Sequence, residues 1–151
     1  MKRPVLLAAA FSLVAMSASA VALEDPIKTR QTLMDANGAA AGLGGGIMKG
    51  EIPFNPVAAA SVLQTMRAVA VSFGDYFPEG SEMGDTKADP KIWTDSANWQ
   101  AALAKFQQDT EAALATLPKE VGSYTLDQFK GAFGQVAQNC RNCHQNFRIS
   151  N

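Results

Sequence analysis

All the thiol and imidazole in 151 residues lie within five positions, Cys140-Arg141-Asn142-Cys143-His144. Two thiols three residues apart on a helix stand about one turn from each other. They can add to the two vinyl groups along one side of a porphyrin while the next residue's imidazole reaches the iron. This C-x-x-C-H spacing is that of covalent c-type haem attachment. Other uses of the same residues fit less well. A thioredoxin-like pair needs its first thiol at the N-terminus of a helix after a strand, where the helix dipole lowers its pKa. An i,i+3 disulfide on a helix is strained and leaves the neighbouring histidine unexplained. Zinc would find three ligands where a structural site takes four.

The elements that must position these residues are helical. Apolar residues recur at three and four positions almost throughout, and alternating β-branched runs are nearly absent. A first helix is expected from about Asp25 to Lys49, with Leu33, Ala36, Ala40, Leu43 and Ile47 as its core stripe and Met34, Ala41 and Met48 in a flanking column. Asp25-Pro26 opens it and Gly50 closes it. A second begins at Asn55-Pro56 and buries Val62, Met66, Val69 and Phe73 before Gly74. Pro78, Gly80, Gly84 and Pro90 break the stretch from Asp75 to Asp95, whose Tyr76, Phe77, Ile92 and Trp93 imply a loop packed on the core. A third helix, Ser96 to Leu117, carries Trp99, Leu103, Phe106, Thr110, Ala113 and Leu117 and stops at Pro118. The fourth starts at Thr125 and lines up Leu126, Phe129, Phe133, Val136, Cys140, Cys143 and Phe147. Four such helices predict an all-α, antiparallel up-and-down four-helix bundle.

Residues 1–20 have the build of a secretory signal: Lys2 and Arg3, an apolar run from Val5 to Met16, and Ala18-Ser19-Ala20. Cleavage is expected after Ala20, with Ala22 as the other option, leaving 21–151 as one exported domain. The apolar run is shorter than the ~18–20 residues of a membrane span, so no span is expected in the mature form. Loss of Lys2 and Arg3 leaves 11 basic against 14 acidic side chains. That balance argues against nucleic-acid binding.

A signal peptide, four helices and a haem motif close to position 151 resemble the class II c-type cytochromes, the cytochrome c′ and low-spin cytochrome c-556 group. The resemblance spans the mature chain and rests on Arg30-Gln31, Lys49-Gly50, Gly84-Asp85, Ile92-Trp93, and Phe133-Gly134 through the haem motif to Phe147-Arg148. It implies one covalent haem c held by Cys140 and Cys143, with His144 on the iron. It further implies Arg30 beside a haem propionate with Gln31 next to it, Arg148 over the proximal face, and a bacterial periplasmic location.

The sixth iron ligand decides what such a protein does. No second histidine exists, so a thioether is the candidate. Met48 lies 14 residues past Met34, about 21 Å along a helix, so only one of the two can stand at haem level. Helical geometry leaves Met34 and Met66 both open. The resemblance favours Met34, four residues after the arginine, where cytochrome c′ proteins commonly carry a bulky apolar residue and c-556 proteins a methionine. A His144/Met34 iron implies electron transfer with redox partner proteins and no enzymatic activity. The alternative is an iron open to carbon monoxide or nitric oxide. Gly38, Gly42, Gly44, Gly45 and Gly46 imply a bent or unwound first helix or a close helix approach. The family resemblance adds a homodimer through the first two helices.

Overall fold

Each long helix opens on a side chain that satisfies its first free N–H groups. The computed structural model describes residues 25–149, so the expected signal and its cleavage site lie outside the described residues. Asp25 accepts from the backbone N–H of Ile27 and Lys28 at the start of α1 (Pro26–Lys49). Asn55 does the same for Val57 and Ala58 at α2 (Pro56–Ser72). Thr125 and Gln128 form a reciprocal capping box at α5 (Leu126–Phe147). Between them lie α3, one turn at Lys91–Thr94, and α4 (Ser96–Ala115). Gly50 ends α1 at φ 77°, a left-handed conformation that a side chain would strain.

The four long helices form the expected bundle. α1 packs on α2, α2 on α4 and α4 on α5, whereas α1 and α5 meet sparsely. The main core lies at one end, where Ile47, Val62, Leu63, Met66, Ala113, Phe129, Phe133 and Val136 interlock. A second, aromatic core of Ile92, Trp99 and Phe147 lies at the other, with Phe73, Phe77, Trp93 and Leu103 against it. Residues 56–76 are apolar enough by composition to cross a membrane, with a mean hydropathy of 1.3, but Ala59, Val62, Leu63, Met66 and Val69 of that segment are core.

The expected stripe of α1 needs correction. Ala36 is exposed and Leu33 half-buried, and the buried line is Arg30, Asn37, Ala40, Gly44, Gly46 and Ile47. The helix is turned so that Met34, Gly38 and Ala41 face a cavity instead of side chains. α1 is continuous through its glycines, and two of them are close approaches, Gly46, where a Cβ would lie 2.6 Å from Ile52 Cδ1, and Gly44. A Cβ at Gly44 would lie 2.2 Å from the Phe133 ring of α5, while Gly42 and Gly45 have nothing within 4 Å.

The connection between α2 and α4 is packed, as its aromatics imply. It begins with a 3₁₀ turn, Phe73–Tyr76. Its far end runs alongside residues 147–149: Ala88 bridges Arg148, Asp89 N–H donates to the Phe147 carbonyl (3.0 Å), and Ile149 N–H donates to that of Lys87 (2.9 Å).

Candidate functional site

The sparse contact between α1 and α5 leaves a cavity of about 510 Å³ between the N-terminal half of α1 and the last turns of α5. That lies within the ~300–1,000 Å³ of small-molecule and cofactor sites. Cys140, Cys143 and His144 enter it from α5 and Met34 from α1. The spacing 0, 3 and 4 puts the two thiols and the imidazole on one face of α5. Phe73, Phe77, Trp99, Leu103 and Phe106 supply its apolar wall. Trp99 anchors that wall, its ring centroid 4.8 Å from Phe77 and 5.2 Å from Phe147, both edge-on.

Both thiols are free and half-buried. Burial pushes the Cys143 thiol up to about 11, with the neighbouring Cys140 adding to the shift, and burial also raises Cys140. Neither is a thioredoxin-like activated thiolate. His144 sits at the rim; burial of its ring, and then the charge of Arg148, lower its pKa and favour the neutral imidazole that a metal takes. Among the described residues no group of three or more His, Cys, Asp and Glu could hold a bare metal ion.

The four methionines expected in the mature chain occupy different places. Met34 is half-buried in the cavity wall. Met66 is fully enclosed in the main core, Met48 packs against that core, and Met83 is 74% exposed. Of the two that helical geometry leaves open, Met34 lines the cavity and Met66 does not.

Arg30 and Gln31 reach the loop. Arg30 is 4% exposed; its Nη1 donates to the Tyr76 carbonyl (3.2 Å) and Ser81 Oγ (3.0 Å), and its Nη2 to the Ser81 carbonyl and Thr86 Oγ1 (2.9 Å). The guanidinium also lies over the Phe77 ring, 4.8 Å from its centroid. Gln31 Nε2 donates to the Asp85 carbonyl at 2.8 Å. No carboxylate of the described residues pairs with Arg30. Burial lowers its pKa, opposed by the charge of Asp25. Arg148 follows α5 on the exposed side of the same cavity.

The donor groups of the cavity fit the covalent haem that the C-x-x-C-H spacing implies. The cavity is mainly apolar, carries thiol, imidazole and thioether groups on facing helices, and holds a buried cation without a counter-ion. It also holds an orphan: Asn37 Oδ1 is sealed from solvent and has no hydrogen-bond partner. Another lining amide, Asn139, is tied down, its Nδ2 donating to Asp109 Oδ2 (2.8 Å) and the Val136 carbonyl (3.2 Å). Sequence reasoning missed both asparagines and the loop partners of Arg30. Asn37 had a signal, since it follows Arg30 by seven residues and Met34 by three on one helix face.

The family profile described as Cytochrome C′ matches residues 25–148. Cytochrome c-556 of Agrobacterium tumefaciens is 38% identical over 124 residues, covering 80% of this chain and 91% of that protein. Cytochrome c′ from Rhodopseudomonas palustris superposes with a TM-score of 0.74 at 29% identity, over 84% of this chain and 98% of that one. A nitric oxide complex of a cytochrome c′ mutant from Alcaligenes xylosoxidans is similar at 25% identity and a TM-score of 0.71, over 84% and 95% of the two chains.

Proposed function

The chain belongs to the cytochrome c′ family and carries covalently attached haem c, and from that premise we propose that it is an exported, periplasmic electron carrier with a low-spin, His144/Met34-ligated iron. Bound haem c supplies a one-electron Fe(III)/Fe(II) couple whose potential follows its axial ligands and burial. In this reading Cys140 and Cys143 anchor the group through thioether bonds and His144 holds the iron from the α5 side. Met34 holds it from the α1 side. Arg30, with Gln31 beside it, offers the propionates a buried positive charge while bonding the loop, and Arg148 covers the proximal side. The aromatic wall keeps water from the ring.

The observation that carries the reading is the position of Met34, the one methionine among the described residues that lines the cavity. Thioether ligation favours ferrous iron, and a saturated iron rearranges little on changing charge, both suited to a carrier and not to an enzyme. The test is an optical spectrum of the purified holoprotein in both oxidation states. Six-coordinate low-spin iron with a thioether-to-ferric band, lost in Met34→Ala, is the expected result. A high-spin wild-type spectrum overturns it.

A second reading draws on the nitric oxide complex of the Alcaligenes relative: an iron open to diatomic gases. Rapid binding of carbon monoxide or nitric oxide to the reduced protein at low concentration favours it over electron transfer. The redox partners are proteins in either case. A homodimer through α1 and α2 is supported by the uncovered Gly42 and Gly45 and by the exposed Val57 and Val71.

A further inference from the structure

The loop takes every N–H on the two terminal nitrogens of Arg30: Nη1 donates to the Tyr76 carbonyl and Ser81 Oγ, Nη2 to the Ser81 carbonyl and Thr86 Oγ1. A guanidinium has five N–H donors, so the one on Nε is left and the paired fork that would grip a carboxylate is spent. The buried charge stays at the cavity wall, and Thr86 passes it on. Thr86 lines the cavity, half-buried, and its Oγ1 accepts from Arg30 Nη2 (2.9 Å) and from the Ala88 N–H (3.1 Å). A hydroxyl has two lone pairs and one proton. Both lone pairs are filled, which leaves the proton to donate, and no acceptor among the described residues takes it. Bonding to a cation polarises the O–H and makes it a better donor. Such a donor beside an uncompensated cation calls for an anionic acceptor, and the anionic groups of haem c are its propionates.

We propose that Thr86 is a haem-binding residue, its hydroxyl donating to a propionate oxygen, so that the charge of Arg30 reaches the cofactor through Thr86. The inference rests on the placement of a propionate beside Arg30 proposed above, and it assigns the contact differently: the guanidinium holds the hydroxyl and the hydroxyl holds the carboxylate. Arg30 is then a positioning residue. It fixes the loop and orients the Thr86 proton, and it is free of the haem in its own terminal N–H groups.

The test compares the wild-type holoprotein with Thr86→Val, Thr86→Ser and Arg30→Lys by resonance Raman spectroscopy, reading the bending band of the haem propionates, with urea midpoints taken alongside. A hydrogen bond stiffens that bend. Valine puts a methyl where the hydroxyl stands and keeps the volume, so Thr86→Val is expected to move the band to lower frequency, and Thr86→Ser, which keeps the donor, to restore it. Thr86→Val also strips an acceptor from Arg30 and from Ala88, so its urea midpoint falls whether or not the hydroxyl touches the haem. A lower midpoint with an unmoved band therefore overturns the inference. If that unmoved band shifts in Arg30→Lys, the guanidinium meets the propionate directly and its placement stands; if it moves in neither variant, the placement of the propionate beside Arg30 falls with the inference. Transfer of the wild type to heavy water keeps the test open should Thr86→Val not fold. The band is expected to shift as the hydroxyl proton is exchanged, and a band indifferent to heavy water overturns the inference without any variant.

Discussion

Arg30 shows how much one side chain does in this protein. Its fork takes two backbone carbonyls and two hydroxyls of the loop and lies over an aromatic ring, so truncation strands several acceptors at once. Arg30→Ala is expected to lower stability by about 3 kcal/mol, read from urea midpoints, with Arg30→Lys recovering only part because an ammonium lacks the planar fork. Asp109 sets an acid limit. Burial alone would raise its carboxyl, but hydrogen bonds from Lys105 and Asn139 outweigh that and hold it below the usual carboxylate range. A lowered folded pKa gives stability that is present above the unfolded value of about 3.9 and is lost as pH falls through the lower folded value. Asp109→Asn should therefore flatten the fall in stability below about pH 4. At this scale the sequence showed the haem motif plainly, because its geometry is local to one turn and a half of helix. The partners of Arg30 and the isolation of Asn37 depend on contacts dozens of residues away, and no local spacing contains them.

Among the elements, α1 separates two uses of glycine. Gly44→Ala places a Cβ inside the Phe133 ring and should cost about 1–3 kcal/mol despite alanine's better helix propensity, and Phe133→Leu in the same chain should recover much of it. Gly42→Ala meets nothing and should stabilise the monomer by about 1 kcal/mol, measured by thermal unfolding. Helix positions were legible from caps and breakers, since Asp25-Pro26, Asn55-Pro56, Thr125 and Pro118 act on their own neighbours. The rotation of α1 was not. Its periodic apolar residues place Leu33 and Ala36 inward, but the space for a cofactor and the Phe133 contact decide which side faces α5. The α4 stripe reads correctly, with Leu103 and Phe106 half-buried because they face the cavity.

The whole molecule divides into a packed end and a cofactor end. The core around Met66, Leu63 and Phe129 is complete with side chains alone, whereas the end around Trp99 and Phe147 adjoins a cavity of about 510 Å³. Hydrogen exchange on the haem-free chain is therefore expected to show protection in the first half of α2 and the start of α5, and rapid exchange in 73–95 and the last turns of α5. Equal protection at both ends would contradict this division. The pairing of Ala88 with Arg148, and of Lys87 with Ile149, joins the far side of the loop to residues that follow the thiols and the imidazole in the chain. The fastening therefore acts as a tether: a variant that loses these two backbone bonds is expected to free one wall of the cavity while leaving the packed end intact.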